Sequence, residues 1–131
     1  MGTEAGFLTA LLATVVFLGL AAVKGHQREV RTHIALVGCA LASLAVTILF
    51  ALRVGELYDL EAAGMITPIH LRIARVTTVV FLWPLITGPL LLKGWIKPRL
   101  HRIGAYLALA MTIAATVTGV LMLMGAERLP H

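Results

Sequence analysis

The sequence predicts an all-α integral membrane protein, a four-helix bundle built from two antiparallel helix hairpins with both termini outside. Composition is the first observation: 60% of the 131 residues are apolar, 13% are charged, and the mean hydropathy is +0.95. Soluble domains are about half apolar and a quarter charged, so this chain is too apolar for that class. The second observation is a set of four charge-free runs, at residues 5–23, 34–52, 76–92 and 103–126.

Each run reaches or approaches the ~20 apolar residues that a spanning helix needs. Because lipid offers the backbone no hydrogen-bond partner, the runs are predicted to be helices. The predicted spans are residues 5–23, 33–52, 70–92 and 101–125, within one membrane domain over residues 1–131. The first and third connections are short, which makes the two spans of each hairpin antiparallel neighbours. The middle connection is longer, and Gly64, Thr67 and Pro68 supply its turn chemistry.

The placement of basic residues is the third observation, because seven of the eleven lie in the first and third connections. They are Lys24, Arg28, Arg31, Lys93, Lys97, Arg99 and Arg102. Short basic connections stay in the cytoplasm, so both termini and the middle connection are predicted to be outside. The net charge of +5 therefore reflects topology and an affinity for anionic lipid, and no nucleic-acid partner is expected.

The two predicted hairpins resemble each other in three short sequence matches. "TVVFL" occurs at residues 14–18 and 78–82, Lys-Gly at 24–25 and 93–94, and Arg-x-His at 31–33 and 99–101. A tandem repeat accounts for these matches, but common membrane residues also produce them by chance, and both explanations stay open. Parallel repeats are related by an axis along the membrane normal, which would make His33 and His101 face each other at one depth.

Three histidines each begin a predicted span, with His33 and His101 at the inner face and His70 at the outer face. Interfacial anchoring of the amphipathic ring is the simple explanation for all three, since only groups truly inside the bilayer are functional by default. Small residues follow His33 and His101 along the same helix face. Such a face suits close helix packing, and it also leaves room for a planar cofactor.

A bis-histidine haem, of b-type or a-type, is the cofactor that two imidazoles on facing helices predict. The chain has no Cys-x-x-Cys-His sequence, so covalent c-type attachment is not expected. Arg31, Arg99 and Arg102 are candidates for pairing with the propionates of a haem on His33 and His101. Copper or zinc is the alternative, because neutral imidazole binds both metals.

His70 has no counterpart in the first hairpin and is followed by Arg72 and Arg75 at the outer edge of span three. These three residues are candidates for holding an anionic group, either a propionate or a lipid phosphate. Arginines that extend to the headgroups are an equally good explanation. One haem bridging His70 to His33 or His101 is not expected, because these histidines lie at opposite faces.

Four motifs occur in a characteristic order along the chain. They are His33 after a basic loop, His70 within "PIHLRIARV", "HRIG" at residues 101–104 and "TVTGV" at residues 116–120. In this order and spacing, residues 5 to 125 resemble the domain of unknown function 420 family of YozB/CtaM-like four-span bacterial membrane proteins. The resemblance implies a small protein of the bacterial cytoplasmic membrane, linked to respiration and to the assembly of haem-copper terminal oxidases.

The function predicted from the residues and the resemblance together is non-catalytic haem binding. The protein would pass electrons, or handle haem, in support of a terminal oxidase. Two histidine ligands leave iron six-coordinate, which favours electron transfer over oxygen chemistry. The alternatives are a cofactor-free structural subunit or assembly scaffold of a membrane complex, and a copper- or zinc-binding membrane protein.

Overall fold

The fold consists of four long α-helices, and the computed structural model describes residues 2–130. The helices are α1 (Gly2–His26), α2 (Val30–Leu57), α3 (Ile66–Leu92) and α4 (Pro98–Gly125). All four are long and apolar enough to cross a membrane, and they pair as two hairpins, so the predicted fold class is confirmed. Most helix ends lie beyond the predicted spans, because a helix continues past the hydrocarbon into the headgroup region, where charged residues are stable.

Two compact units divide the chain, and each contains one hairpin. The first unit comprises α1, α2 and the connection up to Gly64, together with the chain from Leu123 onward. The second unit runs from Met65 to Met122 and holds α3 and most of α4. We call them hairpin one and hairpin two.

The turn of hairpin one closes α1 with a residue in the left-handed region. Arg28 has φ 61°, and its N–H donates to the carbonyl of Gly25 at 3.1 Å. The N–H of Glu29 donates to the carbonyl of Lys24 at 3.0 Å, which completes a Schellman motif. The Lys24 ammonium also pairs with the Glu29 carboxylate at 3.0 Å. Arg28 thus holds a conformation that glycine adopts at lower cost.

The turn of hairpin two has the same hydrogen-bond pattern. Gly94, with φ 73°, donates its N–H to the carbonyl of Leu91 at 3.0 Å. The N–H of Trp95 donates to the carbonyl of Leu90 at 3.0 Å. Pro98 then begins α4, where its missing N–H is not needed. Both hairpins therefore reverse direction by the same local structure.

The core of hairpin one contains a cluster of hydroxyl groups between two apolar helices. Thr14 is fully buried and donates to the carbonyl of Ala10 at 2.9 Å. Its Oγ1 lies 2.6 Å from Ser43 Oγ and 3.4 Å from Thr47 Oγ1, both on α2. Interhelical hydrogen bonds of this kind contribute about 0.6 kcal/mol each in membrane proteins. The cluster fixes the register of α1 against α2.

The core of hairpin two includes a row of small residues on α4 that brings this helix close to α3. Four residues at helical spacing on α4 are buried: Gly104, Ala108, Thr112 and Gly119. Gly104 lies against the ring of Trp83, whose indole N–H donates to the Leu100 carbonyl at 3.1 Å. The small-residue face that was compatible with a cofactor is therefore used for helix packing inside the hairpin.

The sequence matches between the hairpins are only partly kept in three dimensions. Thr14 is buried whereas Thr78 is exposed, and the neighbouring Thr77 takes the buried position. Gly94 is the left-handed turn residue, whereas Gly25 lies within α1. Aligning both "TVVFL" and Lys-Gly between the hairpins requires five additional residues in span three. Five residues turn a helix by about 140°, so the two matches cannot both lie on equivalent helix faces in the two hairpins.

A small ribbon joins the middle connection to the C-terminal segment in the first unit. β1 (Tyr58–Asp59) pairs antiparallel with β2 (Glu127–Arg128), after which Leu129 donates its N–H to the Leu57 carbonyl at 3.0 Å. The Tyr58 hydroxyl donates to the carboxylate of Glu4 on α1 at 2.7 Å. The beginning of the chain, the middle connection and the C-terminal segment thus meet at one end of the unit, as the predicted topology requires.

Candidate functional site

His33 lies in the first turns of α2 and faces the end of α1. Its half-buried ring places Nδ1 2.7 Å from the carbonyl oxygen of Ala21. A carbonyl oxygen only accepts, so we assign the ring proton to Nδ1 and the lone pair to Nε2. The ring lies over Gly25, where a Cβ atom would be 3.0 Å from Nδ1. A side chain at this position would therefore require a small shift of the ring.

His101 has the corresponding position in hairpin two, in the first turn of α4. Its Nδ1 lies 3.0 Å from the hydroxyl of Thr87 on α3. That hydroxyl donates its own hydrogen to the carbonyl of Trp83 at 2.8 Å, so it accepts from the ring and Nδ1 again carries the proton. The ring lies over Gly88, where a Cβ atom would be 3.5 Å from Cε1.

His70 lies near the start of α3 and faces the last turns of α4. Its Nδ1 is 3.0 Å from the hydroxyl of Thr118, which donates to the Ala114 carbonyl at 2.9 Å. The Thr118 hydroxyl also lies 3.2 Å from the Ala115 carbonyl. The ring lies over Gly119, where a Cβ atom would be 3.0 Å from Cε1.

All three predicted histidines therefore have one arrangement in common, which we call the histidine seat. A seat consists of an acceptor for Nδ1–H and a glycine under the ring, both on the other helix of the same hairpin. Metal-binding histidines usually donate their second ring N–H in this way, because it fixes the tautomer and orients the ligating nitrogen. The seats thus fix the tautomer and the orientation of the three rings.

The two seats of hairpin two lie at opposite ends of that hairpin. His101 is in the first turn of α4, whereas His70 contacts Thr118, in the last two turns of the same helix. Opposite ends are what the sequence predicted for these two histidines. His33 and His101 each begin the second helix of their own hairpin, which is also as predicted.

The five arginines proposed as partners for anionic groups are all exposed. They are Arg31, Arg72, Arg75, Arg99 and Arg102. Glu29, the acid nearest in sequence to His33, is engaged by Lys24. Exposed guanidinium groups that follow or flank the seats fit the chemistry of a propionate or of a lipid phosphate, and pairing with propionates stays a prediction.

The sequence predicts the three histidines but not the residues that form their seats, although it contains one signal for them. Thr118 and Gly119 belong to the motif "TVTGV", whereas no motif contains Ala21 or Thr87. The dipeptide Thr-Gly follows both His70 and His101 at equal spacing, at residues 87–88 and 118–119. The equal spacing from histidine to Thr-Gly on both helices of hairpin two is the sequence pattern that marks these two seats.

Among residues 2–130, no group of three or more His, Cys, Asp and Glu side chains has the arrangement of a metal site. The single cysteine, Cys39, is exposed. Comparisons with family models, with curated proteins and with solved structures give no match for this chain.

Proposed function

We propose that this chain is a haem-binding protein of the bacterial cytoplasmic membrane, in which His33 and His101 are haem ligands at the inner face. It passes electrons to a haem-copper terminal oxidase or handles haem during the assembly of that oxidase. The membrane topology, with the first and third connections inside, follows from the positive-inside rule. The connection to an oxidase rests on the family resemblance.

The observation that supports haem binding most strongly is the repetition of the histidine seat. In each hairpin the histidine that begins the second helix donates Nδ1–H to the first helix, at 2.7 Å in one case and 3.0 Å in the other. The acceptors differ, a backbone carbonyl for His33 and a threonine hydroxyl for His101, yet the result for the tautomer is the same. Because two different acceptors fix the same ring tautomer, they favour a common function for Nε2 in His33 and His101.

The residues present fit a haem by their donor chemistry. Neutral imidazole that presents Nε2 is the usual protein ligand of b-type haem iron, and iron with two such ligands supplies one-electron chemistry. Lys97, Arg99 and Arg102 surround His101 in sequence with positive charge that complements two propionates. The protein's own contribution is to hold both rings, supply the counter-charge and keep the site in apolar surroundings.

Optical spectroscopy tests this proposal. The full chain is expressed with haem supplied, purified in mild detergent, and measured as dithionite-reduced minus air-oxidised spectra. A sharp reduced α-band is expected in the wild type and in His26→Ala, the matched control, since His26 is exposed at the turn of hairpin one. The band disappears in His33→Ala and in His101→Ala. An α-band that survives both replacements, or its absence from the wild type, contradicts the proposal.

A cofactor-free structural subunit or assembly scaffold is the second candidate. The hydrogen bonds of the seats also tie two helices together, and the small-residue face of α4 is used for packing. A scaffold retains its association with oxidase subunits when His33 and His101 are replaced, whereas a haem protein loses its function. Copper or zinc binding is the third candidate, which metal analysis of the purified protein tests.

A further inference from the structure

Hairpin two has a one-sided charge that hairpin one does not share. Residues 65–122 contain six of the eleven Lys and Arg side chains and none of the six Asp and Glu side chains. Four of these cations are exposed in or beside its turn, at Lys93, Lys97, Arg99 and Arg102. No acidic residue of the same unit neutralises them, so the turn of hairpin two attracts anionic groups.

The lysine of the Lys-Gly dipeptide has a different partner in each of the two turns. In the turn of hairpin one, the Lys24 ammonium pairs with the Glu29 carboxylate at 3.0 Å. In the turn of hairpin two, the Lys93 ammonium lies over the ring of Trp95, 4.8 Å from the ring centroid. A carboxylate cancels the charge of Lys24, whereas an aromatic ring holds Lys93 in place and leaves its full positive charge.

The backbone of the turn brings the side chains of Lys93 and Trp95 together. Gly94 separates them and adopts φ 73°, a conformation that reverses the chain direction. The N–H of Trp95 donates back to the Leu90 carbonyl at 3.0 Å, which fixes the position of its ring. An ammonium has three N–H donors and an indole has one, so Lys93 and Trp95 together offer donors to a single phosphate group.

The apolar side chains of the turn indicate that it lies at the headgroup level of a membrane. Trp95 is 70% exposed, and Leu92, at the end of α3, is 61% exposed. Exposed tryptophan is typical of the membrane–water interface, where its ring contacts hydrocarbon and its N–H meets the headgroups. Exposed apolar and cationic side chains in one turn fit a phospholipid better than an acidic protein surface in water.

We propose that the turn of hairpin two binds one anionic phospholipid of the inner leaflet, of the phosphatidylglycerol class. The Lys93 ammonium and the Trp95 indole N–H donate to its phosphate, and Leu92 contacts the start of its acyl chains. A headgroup that carries an ammonium, such as ethanolamine, is disfavoured, because residues 65–122 contain no carboxylate side chain to receive it. The site does not involve the histidine seats, so this proposal and that of haem binding can fail independently.

Brominated lipid tests this site with Trp95 itself as the reporter. In the full-length Trp83→Phe protein Trp95 is the one remaining tryptophan, and this protein is reconstituted in vesicles of dioleoyl phosphatidylethanolamine and dioleoyl phosphatidylglycerol. Bromine is placed on one lipid and then on the other, and fluorescence quenching gives the association constant of each lipid beside Trp95. Phosphatidylglycerol is expected to bind about fivefold more tightly, the factor that one lysine near an anionic surface supplies.

Lysine variants separate a defined site from the general attraction of a basic surface. In Lys93→Gln the ratio of the two association constants falls to about one, and Lys93→Arg restores the preference because it retains the charge. Lys24→Gln is the matched control, because it removes one cation from the same predicted face, but that cation is already paired with Glu29. It is expected to keep the preference. Circular dichroism checks that each variant retains its helices.

Native mass spectrometry of the chain with both tryptophans gives an independent measurement. Phosphatidylglycerol is expected to stay bound to the wild type and to Lys24→Gln, and to be lost from Lys93→Gln. Equal association constants of the two lipids beside Trp95 overturn the proposal. An equal loss of preference in Lys93→Gln and Lys24→Gln overturns it as well, because general surface charge then accounts for the enrichment. None of these results depends on haem, which is measured separately at the α-band.

Discussion

At the scale of single residues, the imidazole of His101 depends on one hydroxyl of α3. Thr87→Val keeps the shape of the side chain and removes the acceptor of Nδ1–H, so the ring loses its orientation and the pair loses about 1 kcal/mol. We expect a broadened α-band and a changed midpoint potential in Thr87→Val. Thr87→Ser keeps the hydroxyl and should behave as the wild type. Redox titration monitored at the α-band measures both variants, and equal potentials in all three proteins would contradict this account.

A second prediction at the residue scale concerns Gly104, which lies directly under the ring of Trp83. A methyl group at this position overlaps the indole, so Gly104→Ala displaces the ring and breaks its hydrogen bond to the Leu100 carbonyl. The fluorescence of Trp83, measured in a Trp95→Phe background, should shift. Gly38→Ala is the control, because nothing lies within 4 Å of a Cβ atom there. An unshifted spectrum in Gly104→Ala would show that α3 and α4 do not pack as described.

At the scale of elements, the two helix pairs share a turn but fill its left-handed position differently. Arg28 occupies it in hairpin one and Gly94 in hairpin two. Because a side chain in this region costs about 1 kcal/mol, Gly94→Ala should destabilise the protein and Arg28→Gly should stabilise it by somewhat less. Reversible unfolding in mixed detergent micelles measures both changes. A stabilising effect of Gly94→Ala would contradict the Schellman turn.

The helices and their pairing could be predicted from the sequence, because a charge-free run near 20 residues has few other stable structures in lipid. The positions of His33, His70 and His101 at helix starts followed from the same runs. The seats did not follow, since their contacts join residues 12 to 48 positions apart and depend on how each helix is rotated. The "TVVFL" match is not kept in burial for the same reason: Thr14 is buried and Thr78 is not.

At the scale of the whole molecule, the chain brings its first helix, its middle connection and its C-terminal segment together at one end of a single unit. The hydrogen bond from Tyr58 to the Glu4 carboxylate and the pairing of β1 with β2 hold this junction. The C-terminal segment is therefore part of the structure of hairpin one, although α4 pairs with α3. Its removal should destabilise hairpin one before it affects the seats of His70 and His101.

The junction has a pH dependence that can be measured. The hydrogen bond to the Glu4 carboxylate raises the pKa of Tyr58 above its usual value of 10.0. A raised pKa in the folded protein means that the stabilisation is complete below the ordinary tyrosine pKa and is lost as the pH rises through the folded-state value. Ultraviolet titration of tyrosinate should show Tyr58 ionising at a higher pH than an ordinary tyrosine. In Glu4→Gln the rise in the pKa of Tyr58 should be smaller, and a Tyr58 that titrates normally in the wild type would contradict the contact.

The proposal that His33 and His101 are haem ligands is tested most directly by electron paramagnetic resonance of the air-oxidised protein at low temperature. Ferric haem with two imidazole ligands is low-spin, so the account predicts a low-spin signal in the wild type and in His26→Ala. The signal should vanish in His33→Ala and in His101→Ala. A wild-type protein without a low-spin signal after haem is supplied, or a signal that persists in both variants, would contradict the claim.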